Sequence, residues 1–567
     1  MEMFRRAIRI IVGGWAIALT SALGVLALHE VENEWFTMPF SISVLLLLSA
    51  IFFLLSNRLA FSVYAAWAAM GTVTLVSMIK FSEQGFDLHA YDLVFLGGDS
   101  SLKVFLVENY LHLVLPVAAA ISVVIFGLGA IALNEPASRT QLKWRLLIPA
   151  ALSGLLPATI PASAAAHRFE YFVGGHHASA FFVSMLDIAS MLGDSDLKAR
   201  LAAVPMQEPY PEALSCPAAE RLPDVFIVLS ETQSPPFNFP QLAMPHDFAD
   251  GFVSDDGKAR ALRVETVGGG TWMSAFAVMT GLPAGEFGWQ RPYVTVALEN
   301  RVKGALPEVM AKCGYRTAVI TPVDDSFVNE GRFFRSIGFQ TVFDADDIGL
   351  TAERQRDSFI YASAERLVEE HRRADGRPLF LLIETMFPHS PHNTRLDPQT
   401  NVPGEPLNAD AEMAEYLRRV HIARQDFQTF LSGRRTDPSP RGTVVLEFGD
   451  HQASVTLPLV EALEGPGALA NPDSLAYITH FTAHAFGHGF AKKLPDFDRL
   501  DIAFLGASFA DAAGLPVSPL MKEAVELRDR CSGRFQSCRD RAWVDRHLRR
   551  RADSGLLDVM DSPAPGS

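Results

Sequence analysis

Cysteine is scarce: only Cys216, Cys313, Cys531 and Cys538 occur in 567 residues, and no spacing among them is that of a zinc finger. An oxidising compartment would let some of them pair. Cys531 and Cys538 are near enough in sequence to close a small loop, although spacing alone does not fix connectivity. Positive charge is also in short supply. Lys and Arg number 49 against 64 Asp and Glu, a net charge of −15, which argues against nucleic acid as a partner and is met by a solvated acidic surface. No internal repeat or low-complexity segment is evident before a flexible tail over 554–567. A cleaved signal peptide is also disfavoured. Arg5, Arg6 and Arg9 do precede an apolar run, but no clear cleavage site follows before an acidic loop.

What the chain has in abundance is long hydrophobic runs, all in its first third. Crossing a bilayer takes about 20 apolar residues, and five runs approach this: roughly Ile10–Leu28, Phe40–Leu55, Leu59–Ile79, Leu111–Leu133 and Leu146–Ala165. The second and third are parted only by Ser56-Asn57-Arg58, a tight helical hairpin. The fifth carries Pro149, Pro157 and Pro161, tolerable where neighbouring helices satisfy the freed carbonyls. These runs predict a five-helix membrane domain over 1–166. Arg5, Arg6, Arg9, Arg58, Arg139, Lys143 and Arg145 fall in loops on one side, and Glu30, Glu32, Glu34, Glu83, Asp87 and Asp92 on the other. Basic loops stay in the cytoplasm. An odd number of spans then puts everything after about His167 outside a bacterial inner membrane, in the periplasm.

A connector and hinge over 167–222 follow. Arg168 to Leu201 mixes aromatic and aliphatic residues with polar ones at near-helical spacing. That pattern fits an amphipathic helix in the membrane interface or an ordinary helix packed on a globular domain. A proline-rich hinge, Pro205 to Pro223, leads into 223–553, which reads as one α/β domain. The near-continuous apolar runs Asp224–Leu229, Thr317–Thr321, Leu379–Ile383, Thr443–Phe448 and Asp501–Leu505 read as buried parallel strands. They alternate with helical stretches at Val302–Cys313, Phe359–Arg373 and Ala411–Leu431. Such alternation predicts a mostly parallel sheet with helices on both faces, and ligands at the carboxyl ends of the strands.

Glu231 and the pair Asp450-His451 fall just past two of those strands, and Gly268-Gly269-Gly270-Thr271 lies between them. A threonine hydroxyl is a poor nucleophile at neutral pH and needs a base or a metal to activate it. Two carboxylates and an imidazole form a donor set that suits zinc or manganese. With Thr271 as a fourth ligand, a metal would lower the hydroxyl pKa and polarise a phosphoryl oxygen. The glycines would let backbone approach a phosphate, and a helix opening at Thr271 would favour an anion.

This ordered set, behind membrane spans, resembles the membrane-anchored branch of the alkaline phosphatase and sulfatase superfamily. That branch includes lipoteichoic acid synthase, the phosphoglycerol transferases of periplasmic glucans and the lipid A phosphoethanolamine transferases. The resemblance implies a sulfatase-like outer domain and one divalent metal ion, Mn²⁺ or Zn²⁺, held by Glu231, Thr271, Asp450 and His451. It implies that Thr271 attacks the phosphodiester of a membrane phospholipid, and that an envelope glycan or lipid acceptor resolves a covalent phosphothreonine. His389, in Glu384-Thr-Met-Phe-Pro-His389-Ser-Pro391, resembles a family histidine that faces the transferred phosphate. Asp325-Ser-Phe327-Val328-Asn329-Glu330-Gly331-Arg332 resembles a Phe-Trp-Asn-Arg segment lining a glycerol-phosphate pocket, but Val328 replaces the tryptophan and Glu330 the arginine. Arg332 is the candidate to supply that charge.

His480 lies roughly where phosphoethanolamine transferases carry an additional histidine. His480, His484 and His488 would share one face of a helix and could bind a second metal, whereas a strand beginning at Tyr477 would scatter them. Phosphoglycerol transfer is the favoured reading and phosphoethanolamine transfer the alternative. A catalytically silent membrane-anchored scaffold or sensor is the reading from another class. Sulfate-ester hydrolysis is disfavoured, because Thr271-Trp-Met-Ser-Ala is not the Cys/Ser-x-Pro-x-Arg of those enzymes.

Overall fold

The computed structural model describes residues 11–559 except 33, 94–99, 167–170, 173, 188–195, 212–213, 219–221, 243–245, 353, 401, 403–409 and 438–440. The chain divides into two units, 1–193 and 194–563.

The first unit is helical. Helices α1 (Gly14–Glu32), α2 (Met38–Ser56), α3 (Leu59–Gln84) and α4 (Ser100–Asn134) each contain a stretch long and apolar enough to cross a membrane. The hairpin between α2 and α3 is as tight as its three-residue spacer requires, with Asn57 at positive φ closing α2. The fifth apolar run is helical in pieces. It forms α5 (Leu142–Leu155), a 3₁₀ turn at Leu156–Thr159 and a short turn at Ala162–Ala166. Pro157 and Pro161 cannot donate to a preceding carbonyl, which is why the run breaks there. Large apolar side chains such as Trp15, Phe126 and Leu133 are exposed, as expected where the surrounding solvent is hydrocarbon. Polar groups cluster at the helix ends. Both Glu135 carboxylate oxygens accept the free amides that open α3, from Ala60 and Phe61, at 2.8 Å. Asp87 accepts from the His176 and His177 amides at 2.8 and 3.1 Å. The helix His177–Ser184 is buried almost throughout, with Ala178, Ala180 and Val183 packed among Leu28, Phe40 and Ala66.

The second unit is built on an eight-stranded sheet, ordered β4-β3-β5-β1-β6-β7-β2-β8. The strands are β1 (Asp224–Ser230), β2 (Ala261–Arg263), β3 (Arg316–Ile320), β4 (Thr341–Phe343), β5 (Leu379–Glu384), β6 (Thr443–Gly449), β7 (Ile478–Phe486) and β8 (Leu500–Asp501). Neighbours from β4 to β6 are parallel, and β7 runs against both β6 and β2. Every residue of β1, β5 and β6 is buried, as continuous apolar runs require when helices cover both faces. One side chain layer packs Phe226, Val228, Leu381 and Val445 against Ile360 and Ala364 of the helix Asp357–Ala374 and Phe427 and Phe430 of the helix Ala411–Thr436.

One strand expectation is corrected. Only Leu500–Asp501 is extended, and Ile502–Phe504 begin a 3₁₀ turn that runs into the helix Leu505–Ala513. An unbroken apolar run buries equally well as strand or helix, and its period cannot tell them apart. The helix expected over Val302–Cys313 is confined to Leu306–Lys312, because Pro307 sits in its first turn and Gly304 before it has φ +70°. Cys531 pairs with Cys538, and Cys216 with Cys313 across 97 residues.

Candidate active site

Parallel strands deliver their carboxyl ends to one edge of the sheet, so residues following β1, β5 and β6 become neighbours whatever their separation in sequence. Glu231 follows β1 directly and Asp450-His451 follow β6, with Leu229 opposite Phe448 and Ser230 opposite Gly449 in register. The close passage of these two chain ends requires glycine at 449: a Cβ there would lie 1.9 Å from the Gln233 carbonyl oxygen. Thr271 arrives from the glycine loop as the first residue of α6 (Thr271–Thr280). Gly270 caps that helix with φ +86°, and a Cβ there would meet the Met273 methyl at 2.3 Å. The other nine residues of α6 are buried, so the helix is anchored and its amino end is fixed at the edge.

Donor atoms of Glu231, Asp450 and His451 lie within 4.8 Å of one another. Thr271 Oγ1 donates to Glu231 Oε2 at 2.9 Å and stands 3.5 Å from His451 Nε2. His451 Nε2 is also 3.3 Å from Asp450 Oδ2 and 3.5 Å from Glu231 Oε1. All three ligand-type residues are at most 1% exposed. Each is oriented from behind. The Gln452 carbonyl, 3.0 Å from His451 Nδ1, accepts that hydrogen and leaves Nε2 as a lone pair. Asp450 Oδ1 accepts from the Thr232 and His451 amides at 2.7 and 2.8 Å. The Thr232 hydroxyl donates to Glu231 Oε1.

Asp450 Oδ2 remains buried without a partner. An orphaned carboxylate oxygen pointing at an imidazole lone pair and a second carboxylate is what a divalent cation satisfies, so the residues present fit a single metal. The electrostatics agree. Burial and then the Glu231 charge push the Asp450 carboxyl well above the usual range. For Glu231, burial is outweighed by His451 and His389 and by the Thr232 and Thr271 hydroxyls, which hold it below that range.

His389 follows β5 in a loop fastened by Asp357, whose Oδ1 accepts from the Met386 and Phe387 amides at 3.0 and 2.9 Å. Its Nδ1 lies 2.8 Å from the Ser390 carbonyl, and its charge acts on Glu231. The Arg332 guanidinium pairs with Glu299 at 3.1 Å and is half exposed. His480 lies on β7, where Nε2 meets Glu447 at 2.9 Å. His484 pairs instead with Asp255 at 2.8 Å. The segment is a strand from 478 to 486, so the three histidines do not share a helical face, and among the described residues the group of Glu231, Asp450 and His451 is the one able to hold a metal.

Two residues at this edge were not singled out as a site from sequence. Glu384 ends β5 just as Glu231 and Asp450 follow β1 and β6, a positional signal present in the pattern of apolar run and acid. Glu330 was noted only as a replacement for an arginine, and nothing in its spacing announces that it is buried.

A family model described as Sulfatase matches residues 223–475. An uncharacterized protein of Haemophilus influenzae is 24% identical over 339 residues, 57% of this chain, and the match spans 59% of that relative's length. Among solved structures, the Neisseria meningitidis lipooligosaccharide phosphoethanolamine transferase EptA is 12% identical with a TM-score of 0.48, covering 87% of this chain and 95% of its own. The Streptococcus pyogenes phosphoglycerol transferase GacH, in complex with sn-glycerol-1-phosphate, is 17% identical with a TM-score of 0.44, covering 66% and 92%. The α/β unit, with its mostly parallel sheet and its acid, histidine and threonine groups gathered at the carboxyl edge, is the part of the chain that matches the Sulfatase family model.

Proposed function

We propose that the protein transfers a phospho-headgroup from a membrane phospholipid to an envelope glycan or lipid acceptor, with Thr271 as nucleophile. The observation that carries this reading is the Thr271 hydroxyl, donating to Glu231 at 2.9 Å within 3.5 Å of the His451 lone pair and at the amino end of a buried helix. Apolar helices in the same chain support a lipid donor, and the charge pattern of their loops supports an inner-membrane protein with a periplasmic sulfatase-family domain.

Glu231, Asp450, His451 and Thr271 would hold one divalent ion, Mn²⁺ or Zn²⁺, which when bound supplies a Lewis acid for the phosphoryl oxygens and lowers the hydroxyl pKa. In the first step Thr271 Oγ1 attacks phosphorus, passing its proton along the existing hydrogen bond to Glu231 Oε2. The bond from phosphorus to the diacylglycerol oxygen breaks, and His389, whose charge acts on Glu231, is the candidate to protonate that oxygen. Free amides at the start of α6 meet the charge on the phosphoryl oxygens. In the second step an acceptor hydroxyl attacks the phosphothreonine and gives its proton to His389, the bond from phosphorus to Thr271 Oγ1 breaks, and Oγ1 takes back the proton held on Glu231. Atoms balance over the two steps, and ping-pong kinetics follow.

The test is the intact mass of the full-length protein in detergent after incubation with phosphatidylethanolamine or phosphatidylglycerol and Mn²⁺ or Zn²⁺, beside Thr271→Ala. A headgroup-phosphate adduct in the wild type alone, with release of diacylglycerol, is the expected result. Failure to gain mass or release diacylglycerol with either lipid would remove this reading and leave the silent-scaffold one.

A further inference from the structure

The carboxyl edge of the sheet carries more acid than one metal centre needs. Thr321, Glu384, Glu231 and Asp450 end or follow β3, β5, β1 and β6 in spatial order, because Ile320 faces Ile383, Leu229 faces Glu384 and Ser230 faces Gly449. Strands lie about 4.8 Å apart, so Glu384 stands one strand from Glu231 and Thr321 one beyond. Glu330 comes to the same corner at the start of α7 (Glu330–Ser336), just after the turn Phe327–Asn329, whose Phe327 ring packs edge-on against Trp272, the residue after Thr271.

Glu384 and Glu330 are 3% and 5% exposed, and Glu384 Oε1 and Glu330 Oε1 are buried without a hydrogen-bond partner. Burial is the main influence on both carboxyls. After burial, Glu384 and Glu231 raise Glu330, while for Glu384 the Thr321 hydroxyl lowers the carboxyl and Glu231 and Asp450 raise it, to about 8. No lysine or arginine figures among these influences. Three other buried acids of the same unit have cations: Glu447 has Arg424, Glu415 has Arg418 and Arg419, and Glu286 has Arg200 and Arg541. A buried carboxylate without a counter-ion is costly, so two of them at the sheet edge that carries Glu231 point to a cationic ligand that arrives with the substrate.

The geometry distinguishes an organic cation from a second metal. A metal needs several converging donors, and among the described residues only Glu231, Asp450 and His451 converge. A primary ammonium needs two or three acceptors around its three N–H groups. In a phosphoethanolamine headgroup one ester oxygen and two carbons separate phosphorus from nitrogen, a reach of roughly one strand spacing. Phosphorus held at the Glu231 edge would therefore put the ammonium within reach of the neighbouring strand end, where Glu384 lies. A glycerol headgroup is neutral and offers these acids no counter-ion.

We propose that Glu330 and Glu384, with the Thr321 hydroxyl, form a recognition pocket for a primary ammonium on the donor headgroup, so that the group transferred is of the phosphoethanolamine type; this rests on the headgroup-transfer reading above. It moves the preference away from phosphoglycerol.

The experiment compares kcat/KM for diacylglycerol release from phosphatidylethanolamine and phosphatidylglycerol, in wild type, Glu330→Gln and Glu384→Gln full-length protein, with metal content per chain measured alongside. Wild type is expected to prefer phosphatidylethanolamine by about tenfold or more, and each variant to shrink that ratio by about tenfold, mostly through KM for the amine lipid. Preference for phosphatidylglycerol in wild type, or a ratio unmoved in variants that fold, overturns the proposal while leaving headgroup transfer standing. Two tightly held metal ions per chain, one of them lost in Glu330→Gln, also overturns it. Release from neither lipid removes the transferase reading and the proposal with it. Should the variants fail to fold, the wild-type ratio decides.

Discussion

Two groups of buried acid and histidine sit on neighbouring parts of one sheet, and they resolve their charge in opposite ways. Behind the edge, Glu447 on β6 meets Arg424 at 2.6 Å, His480 at 2.9 Å and the Thr482 hydroxyl at 2.9 Å. Arg424 itself lies over the Phe252 and Phe427 rings and donates to the Gly251 carbonyl. Burial would raise Glu447, but Arg424 and His480 outweigh it and hold the carboxyl far below its usual range. At the edge, Glu231, Asp450 and His451 have the same residue types and the same burial but no arginine, and Asp450 Oδ2 is unpaired. The first group is complete as it stands and the second is not. Burial of titratable groups therefore does not by itself mark a site; an unfilled acceptor facing other donor atoms, as Asp450 Oδ2 faces His451 Nε2 at 3.3 Å, does.

The largest expected effect separates edge from interior by activity. Thr271→Ala should cost about 10⁴-fold or more in turnover, as loss of a covalent nucleophile does, with the unfolding transition close to that of wild type. Arg424→Met reverses the pattern: it strands Glu447 in the sheet and should cost about 3–5 kcal/mol of stability, read as a fall in Tm, with metal stoichiometry unchanged. A zinc-dependent recovery of Tm in that variant would show that the interior group becomes a metal site once its cation is gone, and would confine the contrast to one residue. Next in size comes the histidine pair. His451→Gln should abolish tight metal binding while keeping the fold, and His480→Gln should keep the metal and lose about 1.5–3 kcal/mol with its hydrogen bond to a charged partner. Equal metal loss in both would mean that His480 acts through Gly449, where a Cβ would lie 3.1 Å from His480 Nδ1, and the division between the two groups would dissolve.

Much of this contrast was legible in the chain. The apolar runs before Glu231 and Asp450 announce parallel strands, and parallel strands put their following residues on one edge. Thr271 was legible from its glycines, since Gly270 at φ +86° opens the helix it begins. What was not legible depended on depth and partner. His480 and His451 look alike in sequence, and only Arg424, 56 residues away, makes one of them structural. Arg332 was a reasonable donor to a phosphate until Glu299, 33 residues earlier, is seen to hold it. Asp501–Leu505 is as apolar as any strand and turns into a helix after two residues. Glu330 shows the limit most clearly: its neighbours in sequence are polar, and its burial comes from the way the turn after Phe327 packs against Trp272.

Asp357 supplies a third way to keep a buried acid. Its Oδ1 accepts two amides from the loop that carries His389, its Oδ2 is unpaired, and burial raises its pKa to about 7. The amide hydrogen bonds oppose that rise and Asp426 and Glu231 add to it. A proton does here what Arg424 does for Glu447. The raised group favours the folded state fully below about pH 4, where the unfolded chain is also protonated, and that contribution is lost as pH rises toward 7. Glu447, being depressed, stabilises above about pH 4.5, and its contribution is lost only as pH falls through its low folded-state value. Asp357→Asn should therefore remove a decline in stability between about pH 4 and 7 of at most about 1.4 kcal/mol per pH unit, measured by urea unfolding at fixed ionic strength. It should leave the acid limb, which belongs to Glu447, in place. If the slope between pH 4 and 7 is unchanged in Asp357→Asn, the loop bearing His389 is held by an ionised carboxylate, and an uncompensated buried acid is no longer a marker of a ligand site in this domain.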